Sequence, residues 1–515
     1  MLYDLTWLSE GKPFPPKSEE ARLKKYRDNE IIFQNDSWAL NHDVFAEAAQ
    51  RITRVIGNFE SFISFPVLFN FQRLLSLKTA DLVAGEYPTI SGKDEEENKL
   101  INTIRNSVDF DNNLYATILD LSIFGDAVWR IYKDVDGKNS YCNWRPCEWF
   151  PIVSKDGAYL EIKQCLAWPV VINEDTNEYE LHVQIHEKGF YTFYRYQLTG
   201  VSTVDGHRVY LPGTIGTKLE ETVVKTGLKD NAVKHLRPYK VTGRIYGEDD
   251  YTPITSIVLE LMVRISQISN ILDKHADPSI TGPASMLRPN PTTGELEFQK
   301  GKFYAINPGE EKPEYLTWDG QLESSFKQCE FLINQLYVLS EMGAALLGAN
   351  DGGSQAVSGN ALRLKMVNPL AKVRRISNNL TKPVKELFVL LSSRGYKESL
   401  DFENLTVVWK DGLPNDPREQ VELIKLETGE EKIMPLKDAL VQHLNLSPAE
   451  ADRWLKYLNE PGSVNSSVSP STEDEDTNAS SGPGSKTGVN PQKKGSILEP
   501  HLTGTQNTKS PRDGR

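Results

Sequence analysis

Oxidisable and membrane-spanning features are scarce in this sequence. Its 515 residues include four cysteines, Cys142, Cys147, Cys165 and Cys329. So few thiols exclude a disulfide framework and fit a reducing compartment. Cys142 and Cys147 stand in a loose C-x4-C spacing. Zinc would need two further ligands, and no CxxC or His pair follows closely, so buried or idle thiols are the better reading. Long apolar runs are missing too. The longest uncharged run near the front, residues 61–72, is too short to span a bilayer, and no membrane partner is expected. The opening MLYDLTWLSEG has an early Asp4 and no basic start, which argues against a secretory signal. The expectation is a soluble cytoplasmic product.

Excess positive charge is also lacking. The chain carries 58 Lys and Arg against 71 Asp and Glu, a net of −13. Residues 461–515 hold six of each sign, so the body carries the whole deficit. An acidic body argues against tight, phosphate-driven DNA binding, because such affinity comes from Lys and Arg displacing counterions.

Enzyme signatures are absent as well. The most suggestive stretch is LLGANDGGSQAVSGNALRLK, residues 346–365, where glycines and serines separate two long helical patterns. A phosphate-cradling loop would end in G-K-[ST], but Asn360 follows Gly359. A dinucleotide fingerprint would follow a strand, and here a helix precedes. A nucleophile elbow would read G-x-S-x-G after a strand, whereas GGSQA ends in Ala356. No Ser/His/Asp set or carboxylate pair stands out elsewhere, and no cofactor is implied. Asp249 and Asp250 precede a helix and are read as its caps. His182 and His186 lie four apart on one strand face; without a third ligand, a solvated face is preferred to a metal pair.

What is present is a sequence of elements. Residues 1–30 are polar and carry Pro13, Pro15 and Pro16, and read as an arm outside the core. Helical spacing marks 42–59, 69–84 and 114–124, the last ending at Gly125. From Ala127 the period changes to two, and strands run to about residue 213, with a turn at Asp136-Gly137. A helix over 253–273 follows, apolar on more than one side, with Pro253 suited to its first turn. Residues 278–320 are rich in Pro and Gly, with one clear strand in GKFYAIN, and read as a small β lobe. A second multi-sided helix spans Leu322 to Leu347, with Phe331 and Val338 off its main stripe.

A very long helix, about 359–394, contains Pro369 and Pro383, which should kink it. Residues 359–397 are strongly basic: Arg363, Lys365, Lys372, Arg374, Arg375, Lys382, Lys385, Arg394 and Lys397 face only Glu386. A solvated face, or pairing with the acidic body across subunits, is a better reading of them than DNA contact. One more strand, LTVVWKDG, and two short capped helices, NDPREQVELIKL and SPAEADRWLKYLNE, lead to a Ser-, Gly-, Pro- and Asn-rich stretch over 461–515. That stretch has no aromatic residue and is expected to be disordered.

The two multi-sided helices ask for more partners than one chain offers, so neighbouring copies could complete their packing. Twelve such helices in a ring, at roughly 10 Å each, make a circle of about 120 Å. The axes then stand about 38 Å apart, and subtracting one helix leaves a hole of roughly 28 Å. Duplex DNA, roughly 20 Å wide, would pass without being gripped.

The order of parts resembles the portal proteins of tailed bacteriophages of Gram-positive hosts. Four stretches carry the resemblance: LLSLKTADLVAGEYPTI, YATILDLSIFGDAVWRIYKD, GEDDYTPITSIVLELMVRISQISNILDKHADPSITGPASML and SGNALRLKMVNPLAKVRRISNNLTKPVKELFVLL. It extends over about 30–460 and rests on the collinear set rather than on one motif. The resemblance implies an α+β subunit with a β-rich wing (31–250, joined by 360–414) and stem helices at 251–277 and 322–346. It also implies a β clip (278–321), a tunnel loop (347–359) and a helical crown (415–460). It implies a non-enzymatic ring of 12–13 copies at one capsid vertex, through which DNA is packaged and ejected. The partners so implied are the terminase large subunit, a head-completion or adaptor protein, and the major capsid and scaffold proteins.

The DNA-facing residues would be Asn350, Asp351, Gly352, Gly353, Ser354, Gln355 and Ser358. The glycines would give mobility, the polar residues carry no charge, and Asp351 repels phosphate. A plain surface loop is the bland alternative. The rival functions are a phage scaffold or assembly protein without a channel and, less favoured, a nucleic-acid-processing enzyme. The enzyme would need a metal-binding carboxylate cluster, which the sequence does not display.

Overall fold

The computed structural model describes residues 1–34, 67, 69–157, 159–173, 175–176, 178–201, 212–276, 280–281, 287–289, 296–298, 309, 314–315, 322–347, 365–396, 398–410, 417–429, 433–444, 446 and 448–459. All of them belong to one unit, Met1–Asn459. The expected helix at 42–59, the strand GKFYAIN, the loop at 348–359 and the stretch 461–515 lie outside the described residues.

The first 34 residues differ from the expected arm. They form a short strand β1 (Pro13–Phe14) and a helix α1 (Glu20–Gln34), and they are built into the core. Trp7 stacks on Phe14 and tilts against Phe150, with Leu2, Leu8 and Leu23 buried around them. Arg22 explains why a polar segment can do this. Its guanidinium pairs with Glu19 at 2.7 Å and donates to the carbonyls of Pro146 and Trp149, under the Tyr246 ring. Glu19 also holds the Met1 amino group at 2.8 Å. Charges that looked solvated are instead paired inside, which removes most of the penalty of burying them.

A helical layer follows. α2 (Phe71–Ala84) starts at Asn70, whose side chain accepts the Arg73 N–H. Strand β2 (Thr89–Ser91) leads to α3 (Glu95–Ser107), capped by Asp94 on the Glu97 N–H. α4 (Phe110–Phe124) ends at Gly125 with φ +81°. A side chain at 125 would also meet the backbone of residues 248 and 249 at 2.8 Å, so glycine is required twice over.

The β region holds two sheets. β3 (Ala127–Lys133) and β4 (Asn139–Trp144) form a hairpin through the expected turn. β5 (Trp149–Val153), β6 (Glu161–Asn173), β7 (Glu178–Glu187), β8 (Phe190–Thr199) and β9 (Gly213–Lys225) make an antiparallel meander. With β1 at its edge, the six strands run β1-β9-β8-β7-β6-β5. β10 (Val233–Leu236) completes a three-stranded sheet, β10-β3-β4. Alternation aims Leu181, Val183 and Ile185 of β7 at the core. His186 corrects the solvated-face reading: it is buried beside Gln184, and burial, with the Arg130 charge, pushes its pKa down to about 3. His182 pairs with Glu180 at 3.0 Å.

The remaining elements are α5 (Thr255–Ala276), the short strands β11 (Ile280–Thr281), β12 (Leu287–Pro289), β13 (Leu296–Phe298) and β14 (Glu314–Tyr315), and α6 (Leu322–Leu339). Then come α7 (Val367–Ser392), β15 (Thr406–Val408), α8 (Pro417–Thr428), α9 (Leu436–Leu444) and α10 (Pro448–Asn459). α6 stops eight residues before the expected end at Leu347. Glu341 takes a left-handed φ of +58°, and Ala344–Leu347 forms a separate 3-10 turn. α7 begins at Val367, so Pro369 falls in its first turn, where no intrahelical N–H is lost; only Pro383 lies inside. Val373, Ile376, Leu380, Val384, Leu387 and Leu391 form its buried stripe, packed with α2, α3 and α4 in the larger core.

Candidate functional site

The two long helices α5 and α6 pack on each other and end at a common point. There Lys372 of α7 reaches Asp250, just ahead of α5, at 2.8 Å, and the Ser340 carbonyl, at the end of α6, at 3.4 Å. The start of one helix therefore meets the end of the other, which makes the pair antiparallel. Asp250 is held in turn by the Ser122 hydroxyl at 2.7 Å and by Thr79, while its N–H donates to the Ser122 carbonyl. Asp249 does not cap α5 itself; it accepts the N–H groups of Tyr251 and Thr252 in the turn that precedes it. Asp250 does not cap; it faces Lys372.

Around this meeting point lies a cavity of about 390 Å³. Its wall is charged but neutralised: Lys25 pairs with Asp249, Lys372 with Asp250, Arg375 with Glu341 and Arg244 with Glu248. The basic helix is thus largely spent within the subunit. Lys382 also pairs with Glu386, Lys385 lies over the Phe402 ring, and Arg394 donates to the Thr226 carbonyl. Arg363 and Lys397 lie outside the described residues.

Beyond α6 the chain makes an excursion and comes back. Met342 and Met366 are both buried in the larger core. The two backbones are so close that a Cβ on Gly343 would sit 3.3 Å from the Lys365 carbonyl oxygen. Gly343 and Lys365 therefore lie side by side, between α6 and α7. The expected DNA-facing residues Asn350, Asp351, Gly352, Gly353, Ser354, Gln355 and Ser358 fall in this excursion and lie outside the described residues.

α6 leaves large apolar side chains in the open. Phe331 is 61% exposed and Val338 63%, with Phe326 and Leu339 close to half. These include the two side chains that the sequence placed off the main stripe.

One further cluster was not legible in the sequence. His235 is buried between Asp126 and Glu161, each 2.7 Å from a ring nitrogen, and its ring is tilted against Trp149 with centroids 4.1 Å apart. Burial opposes charge on the imidazole, but the two carboxylates outweigh it and raise its pKa to about 9. Glu161 is partly buried, which opposes its charge, yet His235 holds its pKa down to about 2. Both ring nitrogens donate, so His235 has no lone pair to offer a metal or a substrate. Tyr26 donates to the same Asp126 and ties in α1. Of the four thiols, Cys165 and Cys329 are buried, and burial pushes Cys147 up to about 12.

A family model described as phage portal protein, SPP1 Gp6-like, matches residues 58–275 and 319–461. The chain belongs to that family. The match passes over 276–318, the segment that joins α5 to α6. No curated protein matches the chain. Two solved structures are similar. One is the neck of an empty gene transfer agent particle, at 12% identity and a TM-score of 0.44, covering 86% of this chain and 98% of that one. The other is the virion of a native gene transfer agent particle, at 13% identity and 0.42, covering 82% and 99%.

As a portal protein, the chain is a structural subunit of a homo-oligomeric ring in the virion. The family is structural rather than enzymatic. The fold is α+β, with long helices beside a β-rich region. Among the described residues, no helix is long and apolar enough to cross a membrane.

Proposed function

We propose that 12–13 copies of this portal subunit form the channel through which double-stranded DNA enters and leaves the capsid, and that α5 and α6 are its stem. Residues 31–250 and 360–414 act as the wing, 278–321 as the clip and 415–460 as the crown. The clip docks the terminase large subunit during packaging and a head-completion or adaptor protein afterwards. The outer surface meets the major capsid and scaffold proteins during assembly in the host cytoplasm.

The observation that carries this reading is the approach of Gly343 to Lys365 at the end of one stem helix. Residues between Met342 and Met366 are tethered there at both ends, within at most about 40 Å of a fixed base. Asn350, Asp351, Gly352, Gly353, Ser354, Gln355 and Ser358 are the residues presented to DNA. They lack positive charge, which suits a surface that DNA must slide past.

Deleting residues 351–356 tests this. Rings of normal mass should form, while DNA-filled heads fall at least tenfold. Normal packaging and retention by the deletion variant would overturn the tunnel-loop assignment.

A further inference from the structure

We infer that Lys372 is a positioning residue that clamps the end of α6 to the start of α5 and so fixes the joint between the two long helices. Three observations carry this. First, the ammonium group is nearly buried, with its side chain 7% exposed, and its two polar contacts bind different elements: the Asp250 carboxylate and the Ser340 carbonyl. A buried ammonium is costly unless both geometry and partners are fixed, so its position is closely determined by these two groups.

Second, the charges follow the helix dipoles. The Ser340 carbonyl is at the negative end of α6, where a cation is favoured, and Asp250 lies just before the positive end of α5, where an anion is favoured. Lys372 and Asp250 together close the gap between two opposite poles. Asp250 cannot drift, because Ser122 and Thr79 anchor it to α4 and α2.

Third, the end of α6 is strained. Glu341 is a non-glycine residue in the left-handed region, a conformation that persists only when neighbours impose it. Arg375, one turn beyond Lys372 on α7, pairs with it. The adjoining cavity of about 390 Å³ leaves the joint beside open space on one side and not packed side chains. Releasing Lys372 would free the strained turn without opening the apolar core.

Hydrogen exchange on the full-length assembled ring tests the clamp. In Lys372→Met, amides of residues 336–343 should exchange at least tenfold faster, while those of α4 and β3 keep their rates. Asp250→Asn, which retains acceptors for Ser122 and Thr79, should loosen the same amides. The double variant should not exceed Lys372→Met, because Asp250→Asn removes a contact that Lys372→Met has already removed. Unchanged exchange over 336–343, or acceleration shared equally by α4 and β3, would overturn the clamp. If Lys372→Met fails to assemble, Asp250→Asn supplies the same reading.

The consequence for DNA passage rests on the channel reading above. Heads built with the loosened variant should package at least tenfold less DNA with ring mass unchanged. Wild-type yield from such heads would overturn that role and leave the channel reading, tested by the loop deletion, untouched.

Discussion

His235 carries its proton at neutral pH because two carboxylates hold it, and this makes it a cationic rivet between β10, β6 and the turn after α4. Its folded pKa, about 9, lies above the ordinary histidine value of 6.5. A raised pKa stabilises the fold fully below 6.5, and the contribution is lost as pH climbs through 9. The urea midpoint of the wild-type chain should therefore fall between pH 7 and pH 10. In His235→Ala this fall should flatten, with a loss of about 3 kcal/mol at pH 7, as for breaking a buried ion pair. A wild-type midpoint unchanged over that range would remove His235 from the charged state assigned to it. Nothing in the local sequence VKHL announces this role, because Asp126 and Glu161 come from distant segments.

At the scale of elements, the N-terminal residues show how a polar segment becomes core. Trp7 has Phe14 and Phe150 as ring partners, and α1 is held by Arg22. Replacing Trp7 by Ala should cost about 3 kcal/mol in urea unfolding, as for other buried aromatic truncations. A freely solvated arm would lose less than about 0.5 kcal/mol, the usual effect of a surface change. Helix α6 shows the converse. Apolar residues continue through Ala344-Ala345-Leu346-Leu347, so periodicity runs past the true end. The stop at Leu339 is imposed by Glu341 and by contacts from α7. β9 escaped notice because most of its residues face solvent and no alternation marks it.

For the whole molecule, the exposed apolar side chains of α6 have consequences only in the ring. A charged residue at position 331 should leave the subunit folded and prevent lateral packing. In Phe331→Glu, circular dichroism should match the wild type. Native mass should show a species near 58.1 kDa in place of a ring of about 700 kDa. Rings of unchanged mass and stability from this variant would place the lateral interface elsewhere. Such a face is costly on a monomer and unremarkable in an assembly, which is why it marks an interface.

The sequence by itself determined the helices ending at Ala84 and Phe124, the switch from helical to β periodicity at Ala127 and the off-stripe Phe331 and Val338. These are local properties, set by spacing along the chain, and so were legible. The glycine at 125 was read as a helix stop for the same reason. Only the tertiary structure decided which charges are buried and paired. Lys372, Arg22 and His235 look like ordinary surface residues until partners up to 127 positions away are brought beside them. It also decided that Gly343 and Lys365 meet. Long-range electrostatic pairing depends on where the folded backbone places each group, and periodicity carries no record of that.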